Sequence, residues 1–251
     1  PLTCIERIEE TPDAATFVLY ASSGAFFHFL PGQFVSIGAE IDGKTHWRAY
    51  SISSSPTRPE TLSITVRRVT GGLVSNWLLD HVRPGTMLNA LAPAGDFALA
   101  PDDIPPRLAL FSAGCGITPM LSMTRWLLDA NSPTEIHFFH SARDEANFIF
   151  RDTLLALADR HPNFTYVPAL SGEPEGSDWD GARGFVHEAA KAHFGGTFAG
   201  HQAYLCGPPP MVEACIAVLM QGRLFERDIY TEKFISAADA QQVRSPLFKK
   251  I

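Results

Sequence analysis

The sequence predicts two domains in series: a small antiparallel β-barrel, then an α/β domain built on a parallel sheet. Three observations predict it. The first hundred residues hold short β-branched and aromatic runs separated by turn formers. From Pro101 onward, strand-like apolar runs alternate with helical segments. Between them lies Pro101-Asp102-Asp103-Ile104-Pro105-Pro106, a composition that reads as a junction. The expected bounds are 1-102 and 103-236, with 237-251 as a carboxyl-terminal linker or tail.

In the first domain the expected strands are Thr16 to Tyr20, Gln33 to Ile37, Trp47 to Ile52 and Leu62 to Arg67. Pro31-Gly32, Asp42-Gly43 and Pro56 mark turns between them. One short helix is expected at roughly Val74 to His81, with Ser75 near its start and Pro84-Gly85 closing it. In the second domain the strands are Leu108 to Ser112, Glu135 to His140, Phe164 to Leu170 and Ala203 to Cys206. The helices that follow them are Met120 to Leu128, Phe148 to Asp159, Phe185 to Ala192 and Met211 to Met220.

Composition narrows the function. The chain has 251 residues, 45% hydrophobic and 19% charged, with a formal net charge of -7. That balance argues against nucleic acid as a partner. No apolar run is long enough for a bilayer and no signal segment opens the sequence, so no membrane partner is expected. Cys4, Cys115, Cys206 and Cys215 match no zinc or iron–sulfur spacing, so no metal site is expected. Two of them fall in glycine turns and read as reduced thiols of a cytoplasmic protein.

Gly114-Cys115-Gly116-Ile117-Thr118-Pro119-Met120 lies between a strand and a helix. Glycine lets a phosphate approach closely, and the helix start behind it offers N–H groups and partial positive charge. Pro119 suits a first helical turn. Ligands of parallel sheets bind beyond the carboxyl ends of the strands, and Cys206-Gly207-Pro208 occupies a second such end. Arg48 and Tyr50 alternate onto one face of their strand and Ser51 onto the other. A cation beside an aromatic can hold a pyrophosphate and cover a ring system; it is also an ordinary sheet pair. Gly71-Gly72-Leu73-Val74-Ser75 reads either as an anion-binding helix start or as a glycine turn with a serine cap.

Taken in order, Arg48-Ala49-Tyr50-Ser51, Gly71 to Ser75, Gly114 to Met120, Cys206-Gly207-Pro208-Pro209-Pro210-Met211 and Glu232-Lys233-Phe234 resemble the ferredoxin–NAD(P)⁺ reductase superfamily, over about residues 2-236. The resemblance implies FAD in the barrel and a nicotinamide dinucleotide in the α/β domain. Arg48 then contacts the pyrophosphate, Tyr50 stacks on the isoalloxazine, and Ser51 hydrogen-bonds near N5, with Ala49, Val66 and Arg67 as further flavin contacts. Gly71, Gly72, Leu73, Val74 and Ser75 form the phosphate turn. Gly114, Gly116, Ile117, Thr118 and Pro119 receive the dinucleotide's pyrophosphate and ribose; Cys206, Gly207, Pro208 and Met211 belong to its nicotinamide side. Phe234 covers the flavin face, and Ser51, Cys206 and Glu232 are the implied catalytic group. Pro93-Ala94-Gly95-Asp96-Phe97 resembles a structural turn of the family. NADH is expected over NADPH because Ser171 is followed by Gly172-Glu173 rather than a cation, although Arg143 is a candidate for phosphate or adenine contact.

Within the superfamily, Glu10-Thr11-Pro12-Asp13, Pro31-Gly32-Gln33-Phe34, Gly114 to Leu128 and Glu232-Lys233-Phe234 are most similar to NADH reductases that carry a carboxyl-terminal plant-type [2Fe–2S] ferredoxin. These include hybrid cluster protein reductases and Rieske oxygenase reductase components such as that of glycine betaine demethylation. The Cys-x₄-Cys-x₂-Cys ligand set is missing here, so a [2Fe–2S] cluster is expected only with a domain beyond residue 251. The implied activity passes electrons from NADH through FAD to an iron–sulfur acceptor. That acceptor is the chain's own ferredoxin domain, a separate ferredoxin, an oxygenase or a hybrid cluster protein. Two alternatives stay open: a stand-alone flavin or ferric reductase, and a non-catalytic FAD/NAD-binding subunit.

Overall fold

The computed structural model describes residues 1-172 and 178-233. They form two compact units: Pro1–Asp103 with Leu121–Asn131, and Ile104–Met120 with the residues from Ser132 on.

The first unit holds β1 (Leu2–Thr11), β2 (Ala14–Ala21), β3 (Phe34–Ile41), β4 (Lys44–Ser51), β5 (Thr61–Arg67) and β6 (Met87–Ala90) in one sheet of order β4-β3-β6-β1-β2-β5. Every pairing is antiparallel. An antiparallel bridge between Ile52, just past β4, and Ile64 of β5 joins the two outer strands, and the Ser53 N–H donates to the Ser63 carbonyl at 2.9 Å. The sheet therefore closes on itself, the barrel expected from its short strands. Asp42 and Gly43 both take positive φ, 51° and 71°, the backbone of a tight hairpin turn between β3 and β4. Phe17, Leu19, Ile37, Leu62 and Ile64 fill the interior, and helix α1 (Leu73–His81) adds Val74, Leu78 and Leu79. Each such side chain contributes about 1.5–3 kcal/mol on burial.

The second unit holds β7 (Arg107–Ala113), β8 (Glu135–Ala142), β9 (Phe164–Leu170), β10 (Ala182–Arg183), β11 (Gln202–Gly207) and β12 (Ile229–Lys233), all parallel, in the order β10-β9-β8-β7-β11-β12. It holds the start of α2 (Ile117–Asp129), whose residues from Leu121 on belong to the first unit, and its own helices are α3 (Arg151–Arg160), α4 (Val186–His193) and α5 (Pro209–Gln221). Helices α4 and α5 share a core with Phe111, Phe139, Ala203 and Leu205 of the sheet. The chain leaves β7 toward β8 on one side, and β11 lies on the other, so the strand order reverses between β7 and β11. In open α/β sheets that reversal opens a crevice outside the carboxyl ends of the two strands.

Several elements differ from the sequence reading. Helix α3 starts at Arg151, not Phe148, because Phe148, Ile149 and Phe150 are buried loop residues. Phe150 sits at φ 60°, and Phe148 stacks on Trp179 with ring centroids 5.6 Å apart. Helix α2 starts at Ile117, three residues earlier than read, behind a 3₁₀ turn at Gly114–Gly116. Strands β1, β6, β10 and β12 were not expected. Strand β11 extends through Gly207, one residue beyond the expected end at Cys206. Among the described residues no helix is long and apolar enough to cross a membrane. Phe234, Glu173 and the tail 237-251 lie outside the described residues.

Candidate functional site

In the first unit, the end of β4 and the start of α1 carry the predicted residues. Register sets Arg48 opposite Ile37 and Tyr50 opposite Val35, two positions apart and so on one face. Arg48 and Ala49 are exposed, Tyr50 is half-buried against the barrel core, and Ser51 is buried. Gly71 takes φ 70°, and a Cβ on it would meet open space. Gly72 is the residue before α1; a Cβ there would fall 2.7 Å from Ser75 Oγ. No side chain caps α1 and its first turn holds no acidic residue. The serine-cap alternative is therefore not what forms. The N–H groups at this helix start have no side-chain acceptor, the condition for holding an anion.

In the second unit, the carboxyl ends of β7 and β11 meet. Gly114 takes φ 55°, which bends the chain out of β7. Gly116 is buried, and a Cβ there would fall 2.5 Å from the Cys206 carbonyl carbon. A Cβ on Gly207 would touch Met211 Sδ at 3.0 Å and the Ala113 nitrogen at 3.3 Å. Ile117, Thr118 and Pro119 are buried in the first turn of α2, where Thr118 Oγ1 donates to the Cys115 carbonyl at 2.9 Å. That turn too holds no acidic residue. Pro208 precedes α5 and is exposed. Cys206 is fully buried, in register with Glu232 of β12, and its thiol donates to Glu232 Oε2 at 3.9 Å. Burial, then the Glu232 charge, pushes the Cys206 thiol well above its usual range, so it is a neutral S–H. Arg143 is exposed just past β8.

Two family models match this chain: an oxidoreductase FAD-binding domain over residues 1–99 and an oxidoreductase NAD-binding domain over residues 110–216. The chain belongs to the FAD- and NAD-binding oxidoreductases of the ferredoxin–NAD(P)⁺ reductase superfamily. It is 42% identical over 226 residues to the phenol 2-monooxygenase reductase component DmpP of Pseudomonas sp. CF600, covering 89% of this chain and 63% of that protein. It is 37% identical over 239 residues to the glycine betaine monooxygenase reductase subunit of Chromohalobacter salexigens, covering 94% and 64%. Among solved structures, the cytochrome P450 reductase GcoB of Amycolatopsis superposes with a TM-score of 0.83 at 30% identity, covering 93% of this chain and 68% of that one. The chain thus spans less than two thirds of the length of the two curated relatives.

The residues of the FAD-binding domain fit their cofactor on the exposed Arg48–Tyr50 face and the uncapped α1 start. Val66 puts its side chain in the barrel core, which leaves only its backbone to face a ligand. Arg67 is ion-paired with Asp13 at 2.7 Å, Leu73 is exposed and Val74 is core. The NAD-binding domain brings Gly114, Gly116, Cys206, Gly207, Met211 and Glu232 together around the strand reversal. The sequence reading gave two residues of this neighbourhood only as strand ends, not as a pair. Ser112 Oγ and His140 Nδ1 lie 2.7 Å apart, both side chains fully buried. Only strand register reveals them, because they are 28 residues apart in sequence.

Proposed function

We propose that this chain is the NADH-oxidising, FAD-binding part of a reductase that supplies an iron–sulfur acceptor in an oxygenase or hybrid-cluster system. The observation that carries the reading is the contact of Gly116 with the Cys206-Gly207 backbone at the point where the NAD-binding sheet reverses its strand order. A dinucleotide's phosphates are received at such a point by glycine backbone and a helix start. The monooxygenase reductase names of the two curated relatives support the acceptor class.

Residues 1-102 are assigned to the flavin and 103-236 to the nucleotide. FAD, when bound, takes two electrons from reduced nicotinamide and passes them on singly. Arg48 holds the pyrophosphate by charge, Tyr50 covers the ring system, Ser51 hydrogen-bonds to it, and Gly71 to Ser75 receive phosphate at the α1 start. Gly114 to Pro119 receive the nicotinamide dinucleotide, and Cys206 and Glu232 line its reactive end with a neutral thiol and a carboxylate. Position 172 supports NADH over NADPH in being glycine, with no cation of its own; a Cβ on it would fall 2.6 Å from Arg143 Cγ, which leaves Arg143 as the cation beside that position. The four thiols fit a reducing, cytoplasmic setting.

The test is anaerobic rapid mixing of the purified chain with NADH and, separately, NADPH, followed by absorbance. A yellow protein bleached faster by NADH is expected. A chain that binds no flavin, or a flavin that neither nucleotide reduces, overturns the reading.

A further inference from the structure

Four side chains stand in one row near the carboxyl end of the NAD-binding sheet. Parallel register sets Glu232 beside Cys206, Cys206 beside Ser112, and Ser112 beside His140, on β12, β11, β7 and β8. In-register residues of neighbouring parallel strands face the same way, so the row forms a polar ledge across the four strands. Hydrogen bonds divide it into two pairs, Cys206 with Glu232 and Ser112 with His140. Cys206, Ser112 and His140 are each 0% exposed. The first pair has a role in the proposed function; the second has none.

A thiol is a weak donor and a weak acceptor, so its neighbours decide where its proton points. Cys206 has an oxygen-bearing side chain on each adjoining strand, Glu232 on one and Ser112 on the other. One proton lies between Ser112 Oγ and His140 Nδ1. With that proton supplied by serine, the serine oxygen is left as an acceptor that competes for the S–H. With it supplied by His140, Ser112 keeps its own O–H and faces the neighbouring strand as a donor. The thiol is seen donating to Glu232, the arrangement that goes with the second case.

We propose that His140 is a positioning residue: by donating from Nδ1 to Ser112, it holds the Cys206 thiol on Glu232. The arrangement of the thiol stands on the sheet alone. Its consequence, fast reduction of the flavin by NADH, rests on the proposed function.

The experiment reads the S–H stretching band of Cys206 by infrared difference spectroscopy on the full chain, the band being assigned by its loss in Cys206→Ala. His140→Leu should move the band, and His140→Asn, which keeps an amide donor at the Nδ1 position, should restore it. In a Ser112→Ala background the His140→Leu change should no longer move it, because the effect runs through the serine. His140→Gln, which carries the amide to the other ring position, replaces His140→Leu if that variant does not fold. Reduction by NADH should slow about tenfold in His140→Leu, with NADH affinity unchanged within about twofold, the signature of lost orientation rather than lost binding. A band that stays put in both His140→Leu and His140→Gln, or that moves equally without Ser112, overturns the proposal. A moved band with an unchanged reduction rate overturns its consequence for catalysis. If the unmodified protein is not reduced by NADH, the proposed function falls, and the band still decides the arrangement of the ledge.

Discussion

Gly116 lies against the carbonyl of Cys206 so closely that a Cβ built on it would overlap that oxygen and sit 2.9 Å from the Gly207 nitrogen. Both neighbours are backbone, so neither yields by turning a side chain. Gly116→Ala is expected to push β11 away from the turn after β7, destabilising the NAD-binding domain by about 2 kcal/mol, as overpacking typically does. Urea unfolding midpoints check the stability. NADH titration should show weakened binding; an alanine variant of normal stability and affinity would contradict this packing account.

Arg48 is exposed and no part of the barrel core. Arg48→Ala should leave barrel stability nearly unchanged while weakening FAD binding about tenfold to a hundredfold, the scale of one lost charge-assisted contact. Flavin fluorescence on dilution measures the affinity, and thermal unfolding of the flavin-free chain checks the barrel.

Acid should weaken the NAD-binding domain through its histidine cluster. His137 Nε2 faces Glu135 Oε1 at 3.0 Å, His137 Nδ1 faces His193 Nε2 at 3.1 Å, and the His201 ring centroid is 5.8 Å from that of His137. Burial is the largest influence on His137 and His201 and holds both below the usual 6.5. The unfolded chain therefore binds protons that the folded one refuses. Stability from these groups is fully present above about pH 6.5 and falls as pH drops toward the native values, where the loss levels off. Urea midpoints between pH 7.5 and 5.5 should fall. They should fall less in a His137→Phe/His201→Phe variant; equal slopes would rule the cluster out.

The cysteines should divide by reactivity. Burial pushes the Cys215 thiol up to about 12, and Cys206 is raised by burial and Glu232, whereas Cys115 is only partly covered. Thiolate is the reacting form. Brief iodoacetamide treatment of native protein at pH 8 should label Cys115 and spare Cys206 and Cys215, as peptide mass mapping will show. Early labelling of Cys206 would contradict the neutral, enclosed thiol.

The parallel sheet was legible because its strands are apolar runs ended by glycine turns. Phe164–Leu170 has the bounds read from sequence. β1 was not legible because its middle carries Glu6, Arg7, Glu9 and Glu10, and register shifts interrupt its pairing with β2. β12 is short and ends in polar residues, so no strand was read there and Glu232 was reached only through the resemblance. The apolar run at Phe148 read as helix, but stacking on Trp179 outweighs helix formation there, and Phe150 adopts a left-handed backbone. At the site, glycines and charged motifs could be read, but their partners could not. Gly116 could be read as making room for a ligand; that it also makes room for the Cys206 carbonyl could not. The Ser112–His140 pair depends on register between β7 and β8, which no local pattern encodes.

The bridge between Ile52 and Ile64 also shapes how the barrel behaves among its own copies. A sheet with two open sides can recruit the same sheet from another molecule. Here the two outer strands are drawn together at the end of β4. The stretch of β4 before that closure carries Lys44 and Arg48, exposed charges that repel a like strand. The exposed edge of β4 is thereby guarded against pairing with the same strand of another copy.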